Sequence, residues 1–345
     1  MIFFYQENFY FAPSTLDPFR CMRFMLTILS LLTSISSVAF AQPFPVLSEE
    51  QLLEKLRVPD GKITAVLDTD TYNEIDDQFA VVYALLSPEQ IDLQAIYAAP
   101  FLNDRSSSAA DGMEKSYEEI LRLLDKMNRL ADGLVHRGST EFLTSRDQPL
   151  ESDATRDLIQ RAQASEGPLY VLTIGAPTNV ASALLLEPSL VEKIVVVWLG
   201  GKGLNWSTAR EFNLQQDVIA SQVLFDSGVP LIQLPTQPVT SHLLTTVPEV
   251  EAYLQGRGAI GDYLVEIFKD YHDDHYAWSK VIWDISAIAY VINPAWFETE
   301  VRHAPLLTDQ VTYSVDHSRH WYRVATYLRR DPIYKDLFQK VEKAF

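Results

Sequence analysis

Short apolar runs, most of them closed by aspartate, glycine or proline, recur along the chain: Ile63–Leu67, Ile91–Ala98, Leu169–Ile174, Ile194–Leu199 and Val229–Leu234. Runs of this length, rich in Val, Ile and Leu, predict strands buried on both faces, as in a parallel sheet. Between them lie segments with helical spacing: Phe79–Leu86, Tyr117–Met127, Ser152–Ala164, Val180–Leu186 and about Asp217–Asp226. Strand alternating with helix in this way predicts an α/β fold, a mostly parallel central sheet covered by helices on both faces. A short amphipathic helix, Ser48–Arg57, is expected before the first strand. The C-terminal third is expected to be richer in helix, with Ile282–Ile292 and Pro332–Ala344 its clearest segments.

The first strand runs into Asp68-Thr-Asp-Thr-Tyr-Asn-Glu-Ile-Asp-Asp77, which holds the carboxylates Asp68, Asp70, Glu74, Asp76 and Asp77. In an open α/β sheet, ligands bind beyond the carboxyl ends of the strands. On extended backbone Asp68 and Asp70 point to one face. Asp76 and Asp77 open the following helix, at its positive end. So many carboxylates on one loop repel one another unless a cation joins them. Hard oxygen ligands suit Ca²⁺ or Mg²⁺. The plain alternative is a solvated acidic loop with one helix cap.

Other strand ends carry polar groups too. Asn103 and Asp104 lie in the loop after the second strand, where Asn and Asp are also ordinary turn residues. Gly200-Gly-Lys-Gly203 lacks the G-x-x-x-x-G-K-[S/T] spacing of a phosphate loop, so its glycines are read as a tight turn. Behind it, Asn205, Glu211 and Asn213 offer partners for the hydroxyls of a sugar, or satisfy their own loop.

Composition narrows the partners. The chain has 345 residues, 47% hydrophobic and 21% charged, enough for a full core. Its net charge of −18 and pI near 4.7 argue against nucleic acid or an anionic membrane surface, both of which need a basic footprint. The segment from Met22 passes through an apolar stretch to Val38-Ala-Phe-Ala41, the small-residue pattern of a signal peptide. Residues 1–41 are therefore expected to be an upstream piece plus signal peptide, with translation starting at Met22 and cleavage after Ala41. Residues 42–345 are expected to form one catalytic domain, secreted or periplasmic and free of the membrane after cleavage. Cys21, the single cysteine, falls in the removed piece, so the mature chain has no thiol chemistry.

Taken in order, these pieces resemble the inosine-uridine-preferring nucleoside hydrolases, from Ile63 to Phe297. That family opens with a strand ending in D-x-D followed by a D-D pair, as in Asp68-Thr-Asp70 and Asp76-Asp77. A G-x-x-T-N segment follows, matched by Gly175-Ala-Pro-Thr-Asn179. Then come an apolar strand ending in G-G, an E-F-N, and an H-D pair opening a helix that ends in N-P. These look like Leu199-Gly-Gly201, Glu211-Phe-Asn213, and Trp283-Asp284 through Asn293-Pro294.

The resemblance implies a Ca²⁺ held by Asp70, Asp77, Asp284 and the carbonyl of Ile174, with Asp70 also the base that deprotonates the attacking water. It implies that Asp76, Asn205, Glu211 and Asn213, joined by Asn103, hold the ribose hydroxyls, with Asp68 supporting from behind. The expected reaction is hydrolysis of the N-glycosidic bond of a ribonucleoside or related N-riboside, by an enzyme that in this family is often a homo-oligomer.

The chain departs from the family at two places. The loop between Asp70 and Asp76 is longer, so it must bulge, and Glu74 has no counterpart; it faces solvent, substrate or metal. Trp283 stands where many members place a histidine that protonates the leaving base, and tryptophan cannot be a general acid. Stacking of the base on Trp283, Trp278 or Trp206, and donation by Tyr276, His272 or His275, remain the alternatives. The donor-rich segment Tyr271–Trp278 reads as a lid on the substrate side.

Two other functions compete. Asp68-Thr-Asp-Thr71 also fits the D-x-D-x-T start of a haloacid-dehalogenase-like phosphatase, with Asp68 as nucleophile and Mg²⁺ bound. The later pieces fit that poorly. An exported nucleoside- or sugar-binding protein of the same fold, without turnover, is the other, and Trp283 is what favours it.

Overall fold

Alternate residues of the central strands enter different apolar clusters, and this fixes the layers. In β5 (Ile194–Leu199), Val195, Val197 and Leu199 join one cluster while Ile194, Val196 and Trp198 join the other. In β1 (Ile63–Thr69), Ala65 and Leu67 face one side and Val66 the opposite one. Both faces of these strands are therefore core, at about 1.5–3 kcal/mol for each large side chain buried.

The computed structural model describes residues 44–59 and 61–345. The expected start at Met22 and cleavage after Ala41 lie outside the described residues. Besides β1 and β5, the main sheet contains β2 (Ile91–Ala98), β3 (Val135–Arg137), β4 (Leu169–Thr173), β6 (Leu231–Leu234), β9 (Phe297–His303) and β12 (Trp321–Leu328). Two small ribbons complete the strands: β7 (Leu244–Thr245) with β8 (Lys280–Val281), and β10 (Leu306–Leu307) with β11 (Tyr313–Ser314). The main sheet runs β3-β2-β1-β4-β5-β6-β12-β9, parallel except for the antiparallel edge strand β9.

Helices cover both faces. The short α1 (Glu49–Lys55) starts with a capping box between Ser48 and Gln51. On one face lie α2 (Asp76–Leu85), α3 (Ala109–Lys126), α8 (Val247–Leu254), α9 (Gly258–Asp270), α10 (Ile285–Ile292) and α11 (Arg330–Ala344). The other face carries α4 (Asp153–Ala164), α5 (Thr178–Leu186) and α7 (Val218–Asp226), with the five-residue α6 (Phe212–Gln216) just before α7. No described helix is long and apolar enough to cross a membrane.

The expected α/β fold is the observed one. The C-terminal third also sends two strands, β9 and β12, into the main sheet. Their sequences, FETEVRH and WYRVATYL, mix charge with apolar residues because they lie at and beside the sheet edge.

The strand order reverses direction between β1 and β4. At such a switch point the loops leaving the two strands part to opposite sides and leave a crevice at their carboxyl ends. The acidic loop after β1 and Gly175–Asn179 after β4 flank this crevice.

Candidate active site

Asp68 is still part of β1 and points into the sheet, where it accepts hydrogen bonds from Thr173 Oγ1 (2.7 Å) and Asn179 Nδ2 (2.8 Å). Burial raises its carboxyl to about 6, with those two bonds holding it down. It braces β1 against β4 and α5 from behind.

Asp70 has left the strand and faces the crevice. Both of its carboxylate oxygens are buried and have no hydrogen-bond partner. Burial, then Asp77 and Asp76, push its carboxyl well above the usual range. A Cβ on Gly175 would stand 2.9 Å from Asp70 Oδ1, so only glycine leaves room for this carboxylate.

Two helix N-termini supply the remaining acids. Asp76 and Asp77 occupy the first turn of α2, and Asp284 is the N-cap of α10, which packs against α2. Both helices thus bring their positive ends to the same carboxylates. Oxygens of Asp76, Asp77 and Asp284 lie within 4.8 Å of one another. Asp77 accepts from Thr69 Oγ1 at 2.5 Å and shares a hydrogen bond with Asp284. Burial and then Asp76 raise Asp77 to about 7, and burial with the same neighbours lifts Asp284 well above its ordinary value. Asp76 Oδ2 accepts from the Trp283 amide at 3.1 Å; burial raises it to about 6 against the pull of Lys280.

Asp70, Asp76, Ile174, Glu211, Asn213, Trp283 and Asp284 all line one cavity of about 290 Å³ at the switch point. Asp77 sits just behind it. The Ile174 carbonyl accepts from Asn213 Nδ2 at 2.7 Å, which leaves a second lone pair for a cation. Glu211 is the N-cap of α6 and accepts from the amides of Asn213, Leu214 and Gly201. Burial raises it to about 7 against those three amides.

Two expected sugar ligands sit elsewhere. Asn205 is exposed and lines a separate pocket with Trp206 and Pro238, because the turn after Gly203 carries it outward. Asn103 does not line the cavity; it donates to Asn73 Oδ1 (2.7 Å) and O (3.1 Å), and Asn73 does line it.

The bulge after Asp70 is present, with Tyr72 at φ +135° and its carbonyl held by Arg105. Glu74 forms an ion pair with the buried Lys280 of β8. Of the expected leaving-group donors, His275 Nε2 lies 2.9 Å from the Lys269 carbonyl and His272 Nδ1 2.8 Å from that of Asp274. Tyr276 is almost fully exposed, and Trp278 packs on Phe268 and His272. None of these lines the cavity. Lys202, Arg210, Thr236 and Gln237 line it and were not anticipated there. The last two could have been flagged, since they follow the carboxyl end of β6.

Residues 65–331 match the model of the inosine-uridine preferring nucleoside hydrolases. The pyrimidine-specific ribonucleoside hydrolase RihA of Escherichia coli O1:K1 / APEC is 28% identical over 257 residues, 66% of this chain and 79% of that protein. A plant nucleoside hydrolase, PpNRh1, superposes with a TM-score of 0.63 at 18% identity, covering 81% of this chain and 99% of that one. The purine-preferring ribonucleoside hydrolase of Gardnerella vaginalis does so with a TM-score of 0.63 at 19% identity, over 81% and 98%. A D-x-D strand, a crevice of buried acids and an E-F-N wall on this fold leave the phosphatase without support. The chain is a member of the inosine-uridine preferring nucleoside hydrolase family, and its chemistry is that of an N-glycosyl hydrolase.

Proposed function

We propose that the chain hydrolyses the N-glycosidic bond of ribonucleosides with a bound Ca²⁺, using Asp70 as general base. The observation that carries this reading is Asp70 itself: a buried carboxylate, unpartnered at both oxygens, on a crevice shared with Asp76 and Asp284. An ionised carboxylate in such a place needs either a cation or a proton to take.

Asp70, Asp77, Asp284 and the Ile174 carbonyl would hold the cation, and an all-oxygen donor set favours Ca²⁺ or Mg²⁺ over zinc. Bound there, it would acidify the attacking water and neutralise the carboxylates around it. Asp70 then takes a proton from that water. Burial beside Asp77 and Asp76 favours its protonated form when no cation is bound.

Breaking the bond builds positive charge on the ribose ring, and the buried carboxylates beside it stabilise that charge. Asp76, oriented by the Trp283 amide, and Glu211 and Asn213, fixed by α6, form the wall for the ribose hydroxyls. Trp283 offers the base a flat face to stack on. Lining the cavity, it can hold a base in place but gives it no proton.

The test is a reducing-sugar assay over purine and pyrimidine nucleosides. Sugar is expected to appear with Ca²⁺ present, and to be lost on chelation and in Asp70→Ala; an Asp70→Ala variant as active as the parent would sink the assignment. A loss of about 10³-fold or more in kcat is expected for removing a base that also holds the cation. Export is the companion proposal, resting on Met22–Ala41; a native N-terminus well before Gln42 would overturn it.

A further inference from the structure

The Gly200–Gly203 turn has no part in the mechanism above, although it borders the cavity. The amides of its three glycines are already committed: Gly200 donates to the Leu234 carbonyl, Gly201 to Glu211, and Gly203 to the Gln237 carbonyl. The turn is therefore no cradle of free N–H groups for a phosphate. What it presents to the cavity is the Lys202 side chain, raised on Gly201 at φ +69°.

Arg210, at the other end of the same loop, lines the cavity as well. Among the described residues neither cation has an ion-pair partner; the Lys202 ammonium lies 5.2 Å from the Trp206 ring. The other cations around the site are engaged: Lys280 pairs with Glu74, and Arg105 holds the carbonyls of Tyr72 and Glu74. In a chain of net charge −18, two uncommitted cations on one wall of an acidic cavity call for an anion.

Their position says which part of the ligand carries it. Gly201, just before Lys202, donates to the Glu211 carboxylate at 2.7 Å, and Arg210 directly precedes Glu211. Both cations thus flank the sugar wall. They stand at the Glu211 end of that wall, whereas Trp283, the stacking face for the base, adjoins its Asp76 end and Asp284.

We infer that the site takes ribonucleotides: N-ribosides whose sugar bears a phosphate ester, seated on Lys202 and Arg210. The inference rests on the hydrolase reading and deepens it. Water's oxygen adds to C1′ as Asp70 takes its proton, the C1′–N bond breaks with its electron pair going to the base, and the base gains a proton from solvent while Asp70 later returns its own. The products are free base and ribose phosphate, and the ester bond is untouched.

The experiment compares uridine, its 5′- and 3′-monophosphates, and a uridine carboxylated on the base, with Ca²⁺ present. One of the two phosphates is expected to raise kcat/KM over uridine by roughly tenfold or more, the worth of one charge-assisted hydrogen bond. That advantage is expected to shrink in high salt and to vanish in the Lys202→Gln/Arg210→Gln double variant. Equal kcat/KM for uridine and both phosphates, or a preference that survives the double substitution, overturns the inference. So does a preference for the base-carboxylated compound, which would put the anion on the leaving group. If no N-riboside is cleaved, the hydrolase reading fails, and calorimetry with ribose 5-phosphate and ribose decides alone. Tighter phosphate binding that the double variant loses supports the seat, and equal affinities overturn it.

Discussion

Asp70 and Gly175 form a pair in which one residue exists to make room for the other. The carboxylate comes so close to the β4–α5 turn that an added methyl group at Gly175 would stand 2.9 Å from Oδ1 and 3.0 Å from Cγ. Gly175→Ala is therefore expected to push Asp70 off its line without unfolding the chain. A misplacement of this kind costs on the order of a hundredfold in kcat. Steady-state kinetics beside a circular-dichroism melt will check it: kcat unchanged in a folded variant would show that Asp70 has slack. Side-chain roles divide in legibility at this scale. Asp70, Asp76, Glu211, Asn213, Trp283 and Asp284 could be placed from the sequence because each sits within a motif at a strand end or helix start. Asn205 could not, because nothing in its neighbours tells which way an exposed turn will face. The bond from Asn103 to Asn73 and the pairing of Glu74 with Lys280 were equally hidden, since both join distant loops.

Among the elements, Asp217 holds more than its own helix. It caps α7 through Oδ1 to the Ala220 amide (2.9 Å), while Oδ2 accepts from the Leu143 amide (2.9 Å) and Thr178 Oγ1 (2.8 Å). Asp217→Ala removes a cap and leaves two buried donors without partners, at about 2–4 kcal/mol. Urea denaturation is expected to show that loss in the midpoint with an unchanged slope; a shift below ~1 kcal/mol would mean water replaces the carboxylate. The interior strands were readable because a parallel sheet buries both faces and so leaves continuous apolar runs. Helix starts near Ser48, Ser152 and Asp217 were readable from helical spacing, and each of these residues caps its helix in the structure. The strands β9 and β12 were not, because an edge mixes charge with apolar residues, and α6 is too short to show a period.

Over the whole molecule, the buried acids are expected to make stability depend on pH and, where a cation binds, on the cation. Asp68 and Asp76 titrate at about 6, and Asp77 and Glu211 at about 7, all above their unfolded values near 4. A raised carboxyl favours the folded state fully below the unfolded pKa and loses that contribution as pH climbs through the folded one. The chelated protein is therefore expected to melt lower at about pH 7.5 than at about pH 5. Because a cation binds the ionised ligands, Ca²⁺ should raise Tm more at the higher pH. Calorimetric scans at both values, with and without Ca²⁺, test this, and an equal Ca²⁺ shift at the two would contradict it. The crevice also has a history within each molecule's synthesis. Its acidic loop emerges by residue 77, but Lys280, Trp283 and Asp284 follow some two hundred positions later. A chain that ends just after β6 has every strand before β7 and an incomplete cavity: no Asp284 beside Asp76 and Asp77, no ammonium to steady Glu74. Such a chain is expected to be inert however well its strands have paired, so nucleosides it meets during synthesis are safe from it until the final helices close.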